Sequence, residues 1–209
     1  MKKIMFSERY GLEQAVLAGT KTMTRRIIKG AYVAVIHLKY EGSFIWKTED
    51  GDSVILPQPT YKIGEEVAIA QNYETCWDYY KTQWESRNDP SDWHTPDAML
   101  GDAVEETKGY RNKMFVKADM MPHRIRITGI KAERLQNISD EEAMREGIRQ
   151  SVVEYGDKKI VQWTYFGEKI TTWYDTPREA FAALIDRISG RGTWQSNPWV
   201  YAYTFELIK

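Results

Sequence analysis

The chain predicts an α+β fold that is mainly β, with two or three helices flanking the strands and two insertions. Three observations carry this expectation. β-Branched and aromatic residues gather in short runs at 31–40, 43–46, 66–70, 124–128 and 200–207. Helix signals are few and marked by caps. At 209 residues, 42% hydrophobic and 13% aromatic, the chain is large enough for one proper core, so a single domain over 1–209 is expected.

The elements follow in order. Ser7 to Ala18 reads as a helix with Leu12, Ala15 and Val16 on one face, ended by a left-handed Gly19. Ala31 to Tyr40 reads as a strand, with Ser43 to Trp46 able to pair with it, and Glu66 to Ala70 follows the Ile63-Gly64 turn as another. Arg124 to Thr128 alternates, which puts Arg124 and Arg126 on one face and Ile125 and Ile127 on the other. Ser139 and Glu142 form a capping box for a short helix through Arg145, with Gly147 after it. Thr176-Pro177-Arg178-Glu179 opens a second helix, whose Phe181, Leu184, Ile185 and Ile188 make a core stripe ended by Gly190. Val200 to Leu207 is a final alternating strand that closes the sheet or barrel.

Two stretches stand outside this frame. Residues 72–109 hold Trp77, Tyr79, Tyr80, Trp84 and Trp93 among many acids, and predict an ordered insertion suited to packing or protein contact. Residues 151–174 carry the turn sequences Tyr155-Gly156-Asp157-Lys158 and Phe166-Gly167-Glu168-Lys169, and predict a hairpin-like insertion.

Composition narrows the function. A net charge of −1 argues against a protein that coats nucleic acid through bulk charge. The charge is unevenly placed, acidic over 72–107 and basic over 108–134, which can localise an anion on one face or neutralise itself. The single cysteine, Cys76, excludes an internal disulfide, and His37, His94 and His123 lack zinc spacing, so no metal or other cofactor is expected. With no long apolar run and no leader pattern, the expectation is a cytoplasmic protein without a membrane partner.

The richest stretch is Leu17-Ala18-Gly19-Thr20-Lys21-Thr22-Met23-Thr24-Arg25-Arg26, where a helix stop, a lysine, hydroxyls and two arginines suit an anion or a nucleotide. Gly-x-Lys-x-x-x-Arg after a short amphipathic helix resembles the ASCH superfamily. Further stretches resemble its larger, prophage-type members: Tyr61 to Val67, Met121 to Ile127, Leu135 to Ser139 running to Glu146-Gly147-Ile148, and Trp194-x-x-Asn197-Pro198-Trp199. The resemblance implies a PUA-like mixed β-barrel and an association with RNA and modified nucleosides.

Two functions from different classes are therefore expected. One is binding of a nucleotide, modified nucleoside or RNA in a basic cleft by Lys21, Thr22, Arg25, Arg26, Arg124, Arg126 and Trp194. The other is a metal-independent amidohydrolase that deacylates an N4-acylated cytidine; the resemblance to the small acetylcytidine amidohydrolases implies Lys21 as base, Thr24 as nucleophile and Glu146 as the carboxylate at the leaving group. Strand alternation sets a condition: Lys21 and Thr24 are three apart and converge only if the chain bends near Thr22-Met23. RNA cleavage is a weaker alternative, because no histidine pair lies nearby. A third class is a prophage accessory protein that contacts a protein partner through 72–109.

Overall fold

The computed structural model describes residues 1–29, 32–33, 43–47, 53–87, 110–155, 158–165 and 172–208. These form a mixed α+β fold that divides into two compact units, each assembled from separated segments. The first comprises Met1–Phe6, Glu66–Arg126 and Leu207–Lys209, and the second Ser7–Glu65 and Ile127–Glu206.

In the first unit, β1 (Lys2–Ile4) runs parallel to β6 (Glu66–Ile69), whose Val67, Ala68 and Ile69 are fully buried. The start of β7 (Arg124–Arg134) pairs antiparallel with β6, Ile125 opposite Val67 and Arg126 opposite Glu66. The expected alternation holds there: Ile125 and Ile127 are buried, while Arg126 is exposed. From the acidic insertion, α2 (Tyr73–Arg87) is described and 88–109 lies outside the described residues. Asn72 Oδ1 accepts from Thr75 N at 2.8 Å to start the helix, and Cys76 packs on Ala68, Ala70, Val116 and Met121. Trp77 and Tyr80 lean on the same cluster, so at least part of that aromatic content is packing.

In the second unit, α1 spans only Leu12–Leu17. The helix expected from Ser7 is shorter because Gly11 adopts φ +60 just before Leu12, and 8–11 form a turn instead. Gly19, at φ +73, ends the segment as expected. Next come β2 (Met23–Ile27), β3 (Tyr32–Val33), β4 (Ser43–Lys47) and β5 (Ser53–Pro57). Among the described residues, Tyr32–Val33 and β4 each pair with β5, which the sequence reading passed over, and not with one another. The rest of 31–40 lies outside the described residues.

Both capped helices appear. In α3 (Asp140–Arg145), Ser139 Oγ accepts from Glu142 N at 3.2 Å and Glu142 Oε2 accepts from Ser139 N at 3.4 Å. In α4 (Pro177–Ser189), Thr176 Oγ1 accepts from Glu179 N at 3.1 Å. Phe181, Leu184 and Ile185 are buried, but Ile188 is 42% exposed and falls outside the stripe, since α4 ends one residue later. Between these helices, β8 (Ile148–Tyr155) and β9 (Lys158–Tyr165) form an antiparallel hairpin that starts earlier than the expected insertion at 151. Residues 156–157 of its first turn and the second turn, at 166–169, lie outside the described residues. A four-residue α5 (Thr193–Ser196) leads into β10 (Trp199–Ile208).

The longest sheet has the hydrogen-bonded order β1-β6-β7-β10-β2. This sheet is open, with β1 and β2 at its edges, so the described strands do not close into the expected barrel. Nor does β10 close it. It lies between β7 and β2, and Val200, Tyr201, Ala202 and Tyr203 are all buried, since an interior strand covered on both faces has no solvent side.

Candidate functional site

Gly19 releases the chain from α1, and the next residues are fixed by backbone bonds. Thr20 N and Lys21 N both donate to Ala15 O at 2.9 Å, Thr22 N donates to Arg145 O at 2.9 Å, and Phe205 N donates to Thr22 O at 3.0 Å. Lys21 is thereby turned inward beside the end of α3. Its Nζ donates to Glu146 Oε2 at 2.6 Å, to Glu146 O at 2.7 Å and to Met23 O at 2.7 Å. Three acceptors match the three N–H bonds of an ammonium. Gly147 makes the approach feasible: at φ +101, a Cβ there would meet Leu12 Cδ2 at 3.3 Å and Lys21 Cδ at 3.6 Å.

From the next turn of chain, Arg25 enters the same cluster. Its Nε and Nη2 donate to Glu133 Oε1 at 3.0 and 2.7 Å, Nη2 also reaches Glu142 Oε2, and Nη1 reaches Glu146 Oε1 at 3.2 Å. Lys131 completes the set, with Nζ at 2.5 Å from Glu142 Oε1 and 2.9 Å from Glu133 Oε2. Lys21, Arg25 and Lys131 thus face Glu133, Glu142 and Glu146, and the formal charges cancel. Lys21, Glu146 and Arg25 are only 2%, 4% and 6% exposed.

Burial lowers the Lys21 pKa from the ordinary lysine value, and the Glu146 carboxylate partly restores it. Burial acts on Arg25 in the same direction, but Glu146, Glu133 and Glu142 outweigh it and hold Arg25 above its usual value. For Glu142, burial would raise the carboxyl pKa; Lys131 and Arg25 overcome that and lower it.

The ladder sorts the remaining residues. Thr24 pairs with Tyr203, Arg25 with Ala202 and Arg26 with Tyr201. Directly paired residues share a face and neighbours alternate, so Thr24 and Arg26 face away from Arg25. Thr24 is buried. Arg26 keeps company with tyrosines: its charge opposes the burial that raises the Tyr61 and Tyr203 pKa values. On this face Tyr61 meets Tyr203 edge-to-face at 5.3 Å, Tyr201 Oη donates to Pro57 O, and Tyr203 Oη accepts from Thr60 N at 3.1 Å.

The structure brings together Lys21, Arg25 and Glu146 of the expected site residues, and sets Thr24 and Arg26 on the opposite face of β2 from Arg25. Thr22 Oγ1 accepts from Arg145 Nε at 3.1 Å. Trp194 lies edge-to-face with Phe181 at 6.2 Å, carries the Arg178 guanidinium at 5.5 Å, and borders a surface cavity of about 470 Å³ with Gln136 and Thr176. Asn197 Oδ1 accepts from Gln136 N at 2.8 Å, so the Trp-x-x-Asn-Pro-Trp turn ties itself to the end of β7.

Arg124 and Arg126 belong to the first unit. Arg124 is half-buried, and Arg126 pairs on the surface with Glu66 at 3.1 Å. His123 there shares 2.8 Å with Gln71 Oε1 through Nδ1 and meets Tyr79 edge-to-face, while burial lowers its pKa.

Sequence reasoning missed Glu133 and Glu142 as partners of Arg25. A signal existed for Glu133: it is in phase with buried Ile125 and Ile127 along β7, an acidic residue where the period calls for an apolar one. Glu142 concealed a second role behind its capping box. Among the described residues no group of His, Cys, Asp or Glu is arranged to hold a metal ion, and no helix is long and apolar enough to cross a membrane. Comparisons with protein-family models, curated proteins and solved structures find no match for this chain.

Proposed function

We infer that this chain is a PUA-like protein of the ASCH type that binds a small modified nucleoside or nucleotide beside β2. The observation that carries this reading is the buried cluster built on Lys21, with Nζ at 2.6 Å from Glu146 Oε2. The lysine of the Gly-x-Lys-x-x-x-Arg signature meets the carboxylate that the resemblance assigns to the same site, across 125 residues of sequence. The same cluster favours a small ligand over long RNA. Lys21 and Arg25 are buried and matched by carboxylates, so neither is placed to displace counterions from a phosphate backbone.

The second reading is deacylation of an N4-acylated cytidine, with water added across the amide to yield the free amine and a carboxylic acid. A desolvated lysine in hydrogen-bond contact with a carboxylate is the arrangement that favours it. It ranks second because Thr24 faces away from the Arg25 side of β2. As a ribonuclease the chain has little support, and a protein partner on 72–109 has support only from the aromatic content of that segment.

The test is calorimetric titration with cytidine, N4-acetylcytidine, cytidine 5′-monophosphate and a single-stranded RNA, alongside chromatography of each mixture. Saturable binding of a nucleoside with weak, salt-sensitive RNA binding is expected, and tighter RNA binding would overturn the reading. Turnover of N4-acetylcytidine that Lys21→Met and Thr24→Val both abolish would raise the enzyme reading to first place.

A further inference from the structure

Phe181 touches two features of the second unit. The Arg25 guanidinium stands over its ring at 5.9 Å, and Trp194 meets it edge-to-face at 6.2 Å. The cavity of about 470 Å³ that Trp194 borders therefore lies one aromatic ring from the charge cluster, on the Arg25 side of β2. Its volume falls in the range of small-molecule sites, about 300–1,000 Å³. The cluster itself is closed, with Lys21, Arg25 and Glu146 buried, so the open space for a ligand is the cavity beside it.

The walls are held in place. Trp194 N donates to Asp186 Oδ1 at 2.7 Å, and Gln136 Nε2 donates to Trp194 O at 2.8 Å. The start of α4 keeps its donors for the protein: Asp140 Oδ1 accepts from Arg178 N at 3.2 Å, Thr176 Oγ1 from Glu179 N at 3.1 Å and Thr176 O from Ala180 N at 3.2 Å. Among the described residues, neither the Asp140 nor the Glu179 carboxylate pairs with a cation, and Arg178, whose Nη2 donates to Gln136 O, pairs with no carboxylate. Two negative charges against one positive disfavour a phosphate here. An amine would suit the carboxylates but meet the guanidinium as a like charge. A hydroxyl serves both, since its O–H donates to a carboxylate and its oxygen accepts from a guanidinium. Trp194 adds a flat apolar wall for a ring.

We propose that this cavity is the hydroxyl-reading part of the ligand site, taking the ribose of a ribonucleoside with its 2′,3′ cis-diol toward the Asp140 and Glu179 carboxylates and the Arg178 guanidinium. This assignment rests on the nucleoside-binding function proposed above and names the part of the ligand recognised outside the buried charges. Two adjacent hydroxyls present two donors and two acceptor oxygens, which carboxylates and a guanidinium engage together. A ribonucleoside is thereby selected over one that lacks the diol.

The test is calorimetric titration of the full chain with cytidine and with 2′,3′-dideoxycytidine, which keeps the base and lacks both hydroxyls. Cytidine should bind about 10-fold more tightly, because the dideoxy compound leaves the lining groups without partners. Asp140→Ala combined with Glu179→Ala, both at exposed positions, should cut this preference to about 2-fold or less. Glu179→Ala alone, which keeps the Asp140 bond to Arg178 N, serves if the double variant does not fold, and should weaken cytidine only. In protein with 15N-labelled tryptophan, the indole signal that Trp194→Phe removes from the set of eight should shift as cytidine is added. Equal affinity of the parent for the two nucleosides, a preference that survives the carboxylate substitutions, or saturable binding with an unmoved Trp194 signal would overturn this inference and leave the nucleoside reading standing. Absence of binding by cytidine, N4-acetylcytidine and cytidine 5′-monophosphate alike would overturn both.

Discussion

Arg25 and Arg26 are adjacent in sequence and identical in side chain, yet β2 places them in opposite environments. Arg25 is buried among Glu133, Glu142 and Glu146, with its donors matched inside the protein. Arg26 is half-buried on a face of tyrosines, two ladder positions from an indole whose N–H has no partner. The difference teaches that alternation along one strand sends adjacent, identical side chains into different surroundings: one face gathers carboxylates around a buried cation, and the other packs aromatic rings. A run of cations in a sequence is therefore poor evidence for a basic surface until strand alternation has been resolved.

The contrast is most sharply tested by removing each arginine. Arg25→Met leaves three carboxylates without their shared cation and should cost about 3–5 kcal/mol in urea unfolding, as expected when one partner of a buried charge set is lost. Arg26→Met should cost less than half of that, because water reaches part of the side chain. Equal losses would break the comparison.

Next in size is Glu146→Gln, which preserves the shape near Lys21 but removes a buried negative charge and turns one of the two acceptor oxygens, used by Lys21 and Arg25, into an NH2 donor; about 1–3 kcal/mol of lost stability is expected. An unchanged midpoint would show that the lysine does not depend on that charge.

A smaller effect comes from acid. Glu142 has a lower pKa in the folded chain than the ordinary 4.5, so the unfolded state binds more protons in that range, and stability must fall as pH drops below about 4.5 through the folded value. Glu142→Gln should flatten this part of the profile by about 1 kcal/mol at most, given its partial exposure. A profile of unchanged slope in the variant would assign the acid sensitivity to other groups. The smallest effect belongs to the surface pair in the first unit: Arg126→Ala should stay within about 0.5 kcal/mol, and a loss above 2 would contradict the surface assignment of that pair.

Local chemistry was legible before the fold. Ser139 with Glu142, Thr176 before Pro177, and Gly19 after α1 announce helix boundaries because the groups that satisfy a helix end lie within four residues of it. The alternation of Arg124 to Ile127 was readable for the same reason, since a strand's two faces follow from successive residues. Where distant segments compete, the reading failed. β5 took its place between β3 and β4, β10 became interior with both faces covered, and Gly11 shortened α1 against its apolar pattern.

By itself, then, the sequence determined the α+β character, the capped helices, the half-buried β7 and the set of residues from Gly19 to Arg26 in which the site would be sought. Tertiary structure alone decided which of those residues meet. Lys21 finds Glu146 and Arg25 finds Glu133 across more than a hundred residues, and the register of β2 against β10 sends Thr24 and Arg26 one way and Arg25 the other. The physical reason is that caps and alternation are set by neighbours along the chain, whereas buried charges and orphaned donors depend on which remote groups the ladder brings within about 3 Å.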